Sequence, residues 1–349
     1  VRAMVYEAFR QRPEVREVRD PSCPPHGVVV KVEATGLCRS DWHGWMGHDD
    51  DITLPHVPGH EFAGTIVATG TAVSADWSIG DRVTAPFVNA CGSCVQCRAG
   101  DQQVCDDQTQ PGFTRWGSFA ELAVVDHADV NLVRIADEVD FATAASLGCR
   151  FATAYRAVVQ QGGVGGAGGA PRWVAVHGCG GVGLSAVLIA AAYGADVVAV
   201  DVAPAALDQA RRLGAAAVVD GTESDVPVAI RDITGGGAHV SLDALGHTAT
   251  FQNSVRCLRT RGRHVQVGLL VAEHAAQSVV MGPVVADELE ILGSHGMAAH
   301  DYPQMLRDVA QGRLRPELLL GDQLTLEDGV DALLEMSASS PTGVTVLRP

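Results

Sequence analysis

Short runs of Val, Ile and Thr, broken by Gly and Pro, dominate the first part of the chain, as in Gly27 to Val32, Phe62 to Thr69 and Asp81 to Pro86. Apolar runs of this length between turn residues predict strands of a compact, mostly β unit, and Val1 to Tyr6 opens the chain with another. Near residue 150 the pattern changes. From Trp173 onward, apolar runs alternate with alanine-rich helical stretches, the order of a parallel sheet covered by helices. Trp173 to His177 reads as a strand, Leu184 to Tyr193 as a helix, Val197 to Val200 as a second strand, with Val240 to Ala244 and His264 to Val267 further along the sheet. Between the two regions, Gly162 to Ala170 holds six glycines in nine residues and predicts a flexible surface loop. The final part reads as a helix, Tyr302 to Gly312, followed by short strands that return to the first domain. The predicted fold class is α/β, with a mostly β domain over 1–150, a doubly wound parallel-sheet domain over 151–294 and a returning segment over 295–349.

Composition narrows the functional classes. A chain of 349 residues with 47% hydrophobic content has room for two cores. A net charge of −16 and a pI near 5.1 argue against a nucleic-acid backbone or an anionic membrane surface as partner. Apolar stretches are interrupted well short of the ~20 residues that span a bilayer, and the opening segment has no leader-like apolar region, so the expected location is the cytoplasm. Of nine cysteines, six fall into two metal-binding groups, and Cys23, Cys179 and Cys257 remain as small buried residues.

Cys91, Cys94, Cys97 and Cys105 form a C-x2-C-x2-C-x7-C run over 91–105. Four clustered sulfurs close a tetrahedral shell around zinc and so fold a loop, with iron–sulfur ligation or reactive thiols as the alternatives. Cys38, His60 and Cys149 are candidates for a second zinc site, whose two sulfurs and one imidazole would leave a fourth position open. By spacing alone, such dispersed residues are more often core or surface positions than ligands. The other strong signal is Gly178-Cys179-Gly180-Gly181-Val182-Gly183. It lies between a predicted strand and helix, and Asp201 closes the next strand, which is the arrangement of a dinucleotide site. Gly178 permits the turn, Gly180 lets a pyrophosphate approach the backbone, and Gly183 lets helix and strand pack closely. Gly181 and Val182 complete the fingerprint, and the N-terminal amides of the helix that follows would hold the pyrophosphate. Asp201 can accept hydrogen bonds from ribose hydroxyls and repels a 2′-phosphate, so NAD is expected rather than NADP. Gly246 and Gly268 border the nicotinamide side or serve ordinary turns.

Taken together, Cys38-Arg39-Ser40-Asp41-Trp42-His43, Pro58-Gly59-His60-Glu61-Phe62-Ala63-Gly64, the cysteine lobe, Gly117-Ser118-Phe119-Ala120-Glu121, Leu147-Gly148-Cys149 and the nucleotide fingerprint resemble the zinc-dependent alcohol dehydrogenases of the medium-chain dehydrogenase/reductase superfamily. The resemblance covers nearly the whole chain. It implies a GroES-like catalytic domain, a Rossmann cofactor domain, and NAD-linked interconversion of alcohols with aldehydes or ketones. It also implies that Cys38, His60 and Cys149 hold the catalytic zinc, that Asp41 orients His60, and that Glu61 is an inner glutamate near the metal. Arg39 would meet the cofactor pyrophosphate. A proton route is implied from the alcohol through Ser40 and a cofactor ribose hydroxyl to His43 and solvent. Relatives assemble through edge strands of the cofactor domain, which implies a homotetramer, with a homodimer as the alternative. Val284 to Leu292 is a candidate edge, although a strand buried within the subunit explains the same residues.

Two departures stand out. Gly343-Val344-Thr345-Val346 occupies a stretch where many relatives carry an arginine, and Arg150 follows Cys149 where a small residue is common. Arg150 either pairs with Glu61 or the surroundings of the metal, or points to solvent. Trp42, Trp45, Met46, Phe87 and Trp116 line an apolar substrate pocket or belong to the core. The competing functions are a polyol or amino-alcohol dehydrogenase, a zinc-dependent carbonyl reductase, and a noncatalytic cofactor-binding protein. The last is opposed by the intact set of Cys38, Ser40, His43, His60 and Cys149.

Overall fold

Strand β3 (Val28–Leu37) organises the first unit of the chain, since both of its edges are paired. The computed structural model describes residues 1–166, 173–270, 274–337 and 343–349. Before β3, β1 (Arg2–Val5) and β2 (Glu14–Glu17) form an antiparallel hairpin. β4 (Glu61–Thr69), β5 (Arg82–Thr84), β6 (Leu122–Val125) and β7 (Val133–Arg134) follow. β3 pairs antiparallel with β4 in a register that sets Gly36 opposite Glu61, so the end of one strand meets the start of the other. The inward β-branched and aromatic residues Val28, Val30, Val32, Phe62, Ile66, Val83 and Val125 form one core cluster. Burying a side chain of this size contributes about 1.5–3 kcal/mol.

The second unit is a six-stranded parallel sheet of β8 (Trp173–His177), β9 (Asp196–Asp201), β10 (Ala217–Asp220), β11 (Ala238–Asp243), β12 (Leu258–Gln266) and β13 (Glu290–Gly293). The order β10-β9-β8-β11-β12-β13 reverses direction between β8 and β11, as in the doubly wound dinucleotide-binding sheets. The helix after β8 runs Gly181–Ala192, beginning earlier than the alanine pattern predicted because the glycines themselves form its first turn. The chain returns to the first unit with β14 (Leu320–Thr325) and β15 (Val344–Arg348), and β15 pairs antiparallel with β3.

The two compact units comprise Val1–Ala152, Gly296–Gly312 and Leu319–Pro349 in one, and Thr153–His295 and Arg313–Leu318 in the other. Two local expectations differ from the structure. Val284 to Leu292 is not one strand: Met281–Ala286 is a helix, and only Glu290–Gly293 is extended. Pro283 lies in the first helical turn, where its missing N–H costs nothing, and Glu288 breaks the run at φ 47°. A helix over Leu326–Glu335 was hidden behind the expectation of short strands. Its Thr325 cap accepts the Asp328 amide, and Leu326, Val330 and Leu333 form its buried stripe. Part of the predicted glycine loop, 167–170, lies outside the described residues.

Candidate active site and metal centres

The register of β3 against β4 brings the first two candidate ligands together. Cys38 follows β3 and caps the helix Arg39–Trp45, while His60 immediately precedes β4. Asp41, 1% exposed, ties these segments to each other. Its Oδ2 accepts the Cys38 amide at 2.8 Å, and its Oδ1 accepts the Gly59 amide at 3.0 Å and His60 Nδ1 at 2.9 Å. This fixes the His60 tautomer, with Nδ1 as donor and Nε2 presented as the lone-pair atom. The third candidate ligand, and the second sulfur, comes from a π-helical turn, Leu147–Phe151, entered from the helix Phe141–Ser146. That widened turn carries Cys149, and Tyr302 donates its hydroxyl to the Gly148 carbonyl at 3.2 Å.

The donor atoms of Cys38, His60, Glu61 and Cys149 all lie within 4.8 Å of one another. His60 Nε2 is buried without a hydrogen-bond partner, which is expensive for a polar atom unless it binds something. The Cys38 thiol is held well below its ordinary range by its hydrogen bond to Cys149, with Arg150 adding to the effect against burial. Cys149 is pushed well above its range, first by that same bond and then by burial. Two sulfurs, one of them held on the acidic side of its usual range, and the orphaned imidazole nitrogen make a donor set that fits zinc. Phe87 and Phe113 flank the imidazole at ring distances of 6.3 and 5.1 Å. Phe113 was not among the sequence candidates, since nothing local marks it.

Glu61 is fully buried and does not face solvent. Arg150, 6% exposed, donates to it three times: the backbone amide to Oε1 at 2.9 Å, Nε to Oε1 at 3.1 Å, and Nη2 to Oε2. Of the alternatives open from the sequence, the pairing with Glu61 is the one realised. Burial pushes the Glu61 carboxyl up, and the guanidinium opposes that shift.

Ser40 and His43 share the helix that begins after Cys38, three residues apart and so on one face. Ser40 Oγ is 3.8 Å from Cys38 Sγ. His43 Nδ1 is 2.9 Å from His48 Nδ1, a partner the sequence reading did not include. Burial, and then His48 and Arg39, lower the His43 pKa. Arg39 stacks on Trp42 at 4.2 Å and donates to the Met336 carbonyl. Trp45 is a core residue whose indole donates to the Gln11 carbonyl. Met46 and Trp42 pack partly against the same cluster, and Trp116 is 43% exposed.

In the cysteine lobe, Cys91 and Cys97 sulfurs are 4.0 Å apart and those of Cys94 and Cys105 are 3.7 Å apart. A tetrahedron with Zn–S bonds of ~2.3 Å has edges of about 3.8 Å. Backbone amides of Ser93 and Cys94 point at the Cys91 sulfur, and that of Cys97 at Cys94. The Ser93 amide, followed by its hydroxyl, brings the Cys91 thiol down to about 6. All nine cysteines are free thiols, so none of these pairs is a disulfide.

In the second unit, each fingerprint glycine has its own geometric reason. Gly178 has φ 87°, a Cβ on Gly183 would lie 1.7 Å from the Gly178 carbonyl oxygen, and a Cβ on Gly180 would meet nothing within 4 Å. The space beside Gly180 suits a pyrophosphate lying on the backbone at the start of the helix that Gly181 and Val182 begin. Asp201 Oδ2 accepts the Cys179 amide at 2.6 Å, while Oδ1 accepts those of Val202 and Ala203. The acid thus holds the glycine turn as well as closing β9. Gly268 is demanded by packing: a Cβ there would lie 2.2 Å from the Gly246 nitrogen. Asp243, fully buried, fixes the same corner by accepting the Leu245 and Gly246 amides.

Known proteins share this arrangement. The alcohol dehydrogenase GroES-like domain matches residues 24–137, and the zinc-binding dehydrogenase family matches residues 181–311. An alcohol dehydrogenase of Geobacillus stearothermophilus is 31% identical over 341 residues, covering 96% of each chain. The alcohol dehydrogenase TADH from Thermus sp. ATN1 superposes with a TM-score of 0.90 at 29% identity, over 100% of this chain and 99% of the other. A candidate zinc-binding dehydrogenase from Sinorhizobium meliloti 1021, solved bound to NADP, has a TM-score of 0.88 at 28% identity, over 100% and 99%. With both family domains matched and two zinc-type donor sets in place, this chain belongs to the zinc-dependent alcohol dehydrogenases of the medium-chain dehydrogenase/reductase superfamily.

Proposed function

We propose that this chain is an NAD-linked zinc alcohol dehydrogenase that interconverts primary or secondary alcohols, aromatic ones included, with aldehydes or ketones. The observation that carries this reading is the set Cys38, His60 and Cys149, in which buried His60 Nε2 lacks a partner, in a chain that also carries a dinucleotide fingerprint. Zinc held by these three residues would supply a Lewis acid for the alcohol or carbonyl oxygen, and NAD would supply the hydride acceptor. Asp41 keeps His60 in the tautomer that binds metal. Ser40, beside Cys38, would take the hydroxyl proton. His43, on the same helix face as Ser40, would accept the proton for release to solvent. Phe87 and Phe113 give the His60 surroundings an aromatic wall that suits an apolar substrate. The cysteine lobe would hold a second, structural zinc. Asp201 supports NAD over NADP, because it offers a carboxylate where a 2′-phosphate would need a cation.

A homotetramer, or a homodimer, through the β13 edge is part of the proposal. Ile291 is exposed on that strand, and Val280, Met281 and Val285 are exposed on the helical segment that precedes it in the chain, apolar positions that a second copy would cover. None of the described helices is long and apolar enough to cross a membrane. The test is initial-rate NADH formation by zinc-replete protein across short, branched, benzylic and polyol substrates, with NADP+ in parallel. Turnover of simple or benzylic alcohols with NAD+ is expected. Turnover confined to polyols would overturn the substrate class, and turnover confined to NADP+ would overturn the role of Asp201.

A further inference from the structure

We infer that Arg150 is a positioning residue that keeps Glu61 out of the metal's coordination shell, leaving Cys38, His60 and Cys149 as the only protein ligands; this rests on the zinc reading above. A carboxylate is a competent zinc ligand, and a Glu61 oxygen lies within 4.8 Å of the other three donors. Four protein donors would close the shell and make the site structural, like the cysteine lobe. The chain therefore has to employ this carboxylate elsewhere.

Arg150 does so with both oxygens. Oε1 accepts the Arg150 amide and Nε, and Oε2 accepts Nη2, a forked geometry that a lysine could not reproduce. The pairing is held from both sides. A buried guanidinium keeps its proton and requires a counter-charge, so Arg150 binds Glu61 as firmly as Glu61 binds Arg150. The π-helical turn delivers Cys149 to the donor set and Arg150 to the carboxylate as adjacent residues. On the facing strand, Gly36 leaves the space the pair occupies: a Cβ there would lie 2.4 Å from Glu61 Oε2 and 3.1 Å from Arg150 Nη2. Charge closes in the same way. Two thiolates balance a divalent ion and Arg150 balances Glu61; without the guanidinium, the metal becomes the nearest cation for the carboxylate.

The test is cobalt(II) substitution followed by titration with azide, read as the change in visible absorption. The four-cysteine site is closed and gives no azide response, so the signal reports the open position. Wild type is expected to bind azide saturably. Arg150→Met is expected to raise the apparent Kd at least tenfold, and Arg150→Met with Glu61→Gln to restore it to within about threefold of wild type. A single variant that titrates like wild type overturns the inference. Wild-type protein that takes up no cobalt beyond the cysteine lobe overturns the zinc reading instead. Should Arg150→Met fail to fold, a crystal structure of the zinc-loaded wild type decides: both Glu61 oxygens on Arg150 and a non-protein fourth donor support the inference, and a Glu61 oxygen on the metal refutes it.

Discussion

Asp41→Asn is the sharpest perturbation of the open metal site, because it changes one atom while three buried donors depend on the pair of oxygens. The carboxylate accepts the Cys38 amide on one oxygen, and the Gly59 amide and His60 Nδ1 on the other. An asparagine can present its single oxygen to either group. Facing Gly59 and His60, it turns its NH2 toward the Cys38 amide; facing Cys38, it turns the NH2 toward both other donors. The first orientation loses fewer bonds and is the expected one. One buried donor is then left facing another, which costs about 1–3 kcal/mol of stability in the metal-free protein. The His60 bond survives but its acceptor is now neutral, so the imidazole becomes a weaker base. Loss of such an orienting carboxylate typically lowers zinc affinity about 10–100-fold. Competition against a chromogenic chelator measures this directly, with the cysteine-lobe zinc, remote from Asp41 in its bonding, as the internal control. Zinc at the open site bound within about threefold of wild type would refute the argument that Asp41 acts through His60.

Three further outcomes follow from the second unit. His177 and His264 are buried and neutral, lowered chiefly by burial to about 3 and about 4, so folding is opposed by proton uptake of the unfolded chain. Their contribution is intact above pH ~6.5 and is lost as pH falls toward about 4, by about 6 kcal/mol in all; the urea midpoint should drop over this range, and His177→Leu should roughly halve the drop, whereas an unchanged slope would contradict it. Asp201→Ser should raise the NADP+ to NAD+ ratio of kcat/KM at least tenfold, about 1.4 kcal/mol, while weakening both cofactors because the Cys179 amide loses its acceptor; a constant ratio would remove Asp201 from cofactor choice. Val285→Glu puts a charge into the most exposed large apolar position of the helix that precedes β13 in the chain, 71% exposed, and light scattering should report a smaller assembly than wild type; an unchanged mass would move the interface elsewhere.

What could be read from the sequence is what the chain imposes locally. The fingerprint was legible because Gly178 and Gly183 answer separate steric demands within a few residues, a positive φ at one and a 1.7 Å approach at the other. The cysteine lobe was legible for a similar reason: its amides reach sulfurs two or three residues away. Cys38, His60 and Cys149 have no such local grammar. They meet because β3 and β4 pair in one register and a π-helical turn follows a separate helix, so only resemblance to a family could group them beforehand. The helix Leu326–Glu335 was a different kind of miss, since Thr325 and Asp328 give a capping signal that the expectation of strands obscured.

Arg150 shows where local reading stops. Its sequence neighbours mark it only as a cation in an unusual place, and nothing within its own turn says whether it points to metal, carboxylate or water. The answer lies 89 residues away in Glu61, and its room lies on a third segment at Gly36. A buried guanidinium and a buried carboxylate constrain each other so strongly that either alone would be a defect. Together they give the open site a property that no ligand possesses individually, a carboxylate close enough to bind metal and already occupied. Substitutions at Gly36 should therefore disturb the metal site by displacing this pair, without touching any ligand, and should do so in proportion to the volume they add.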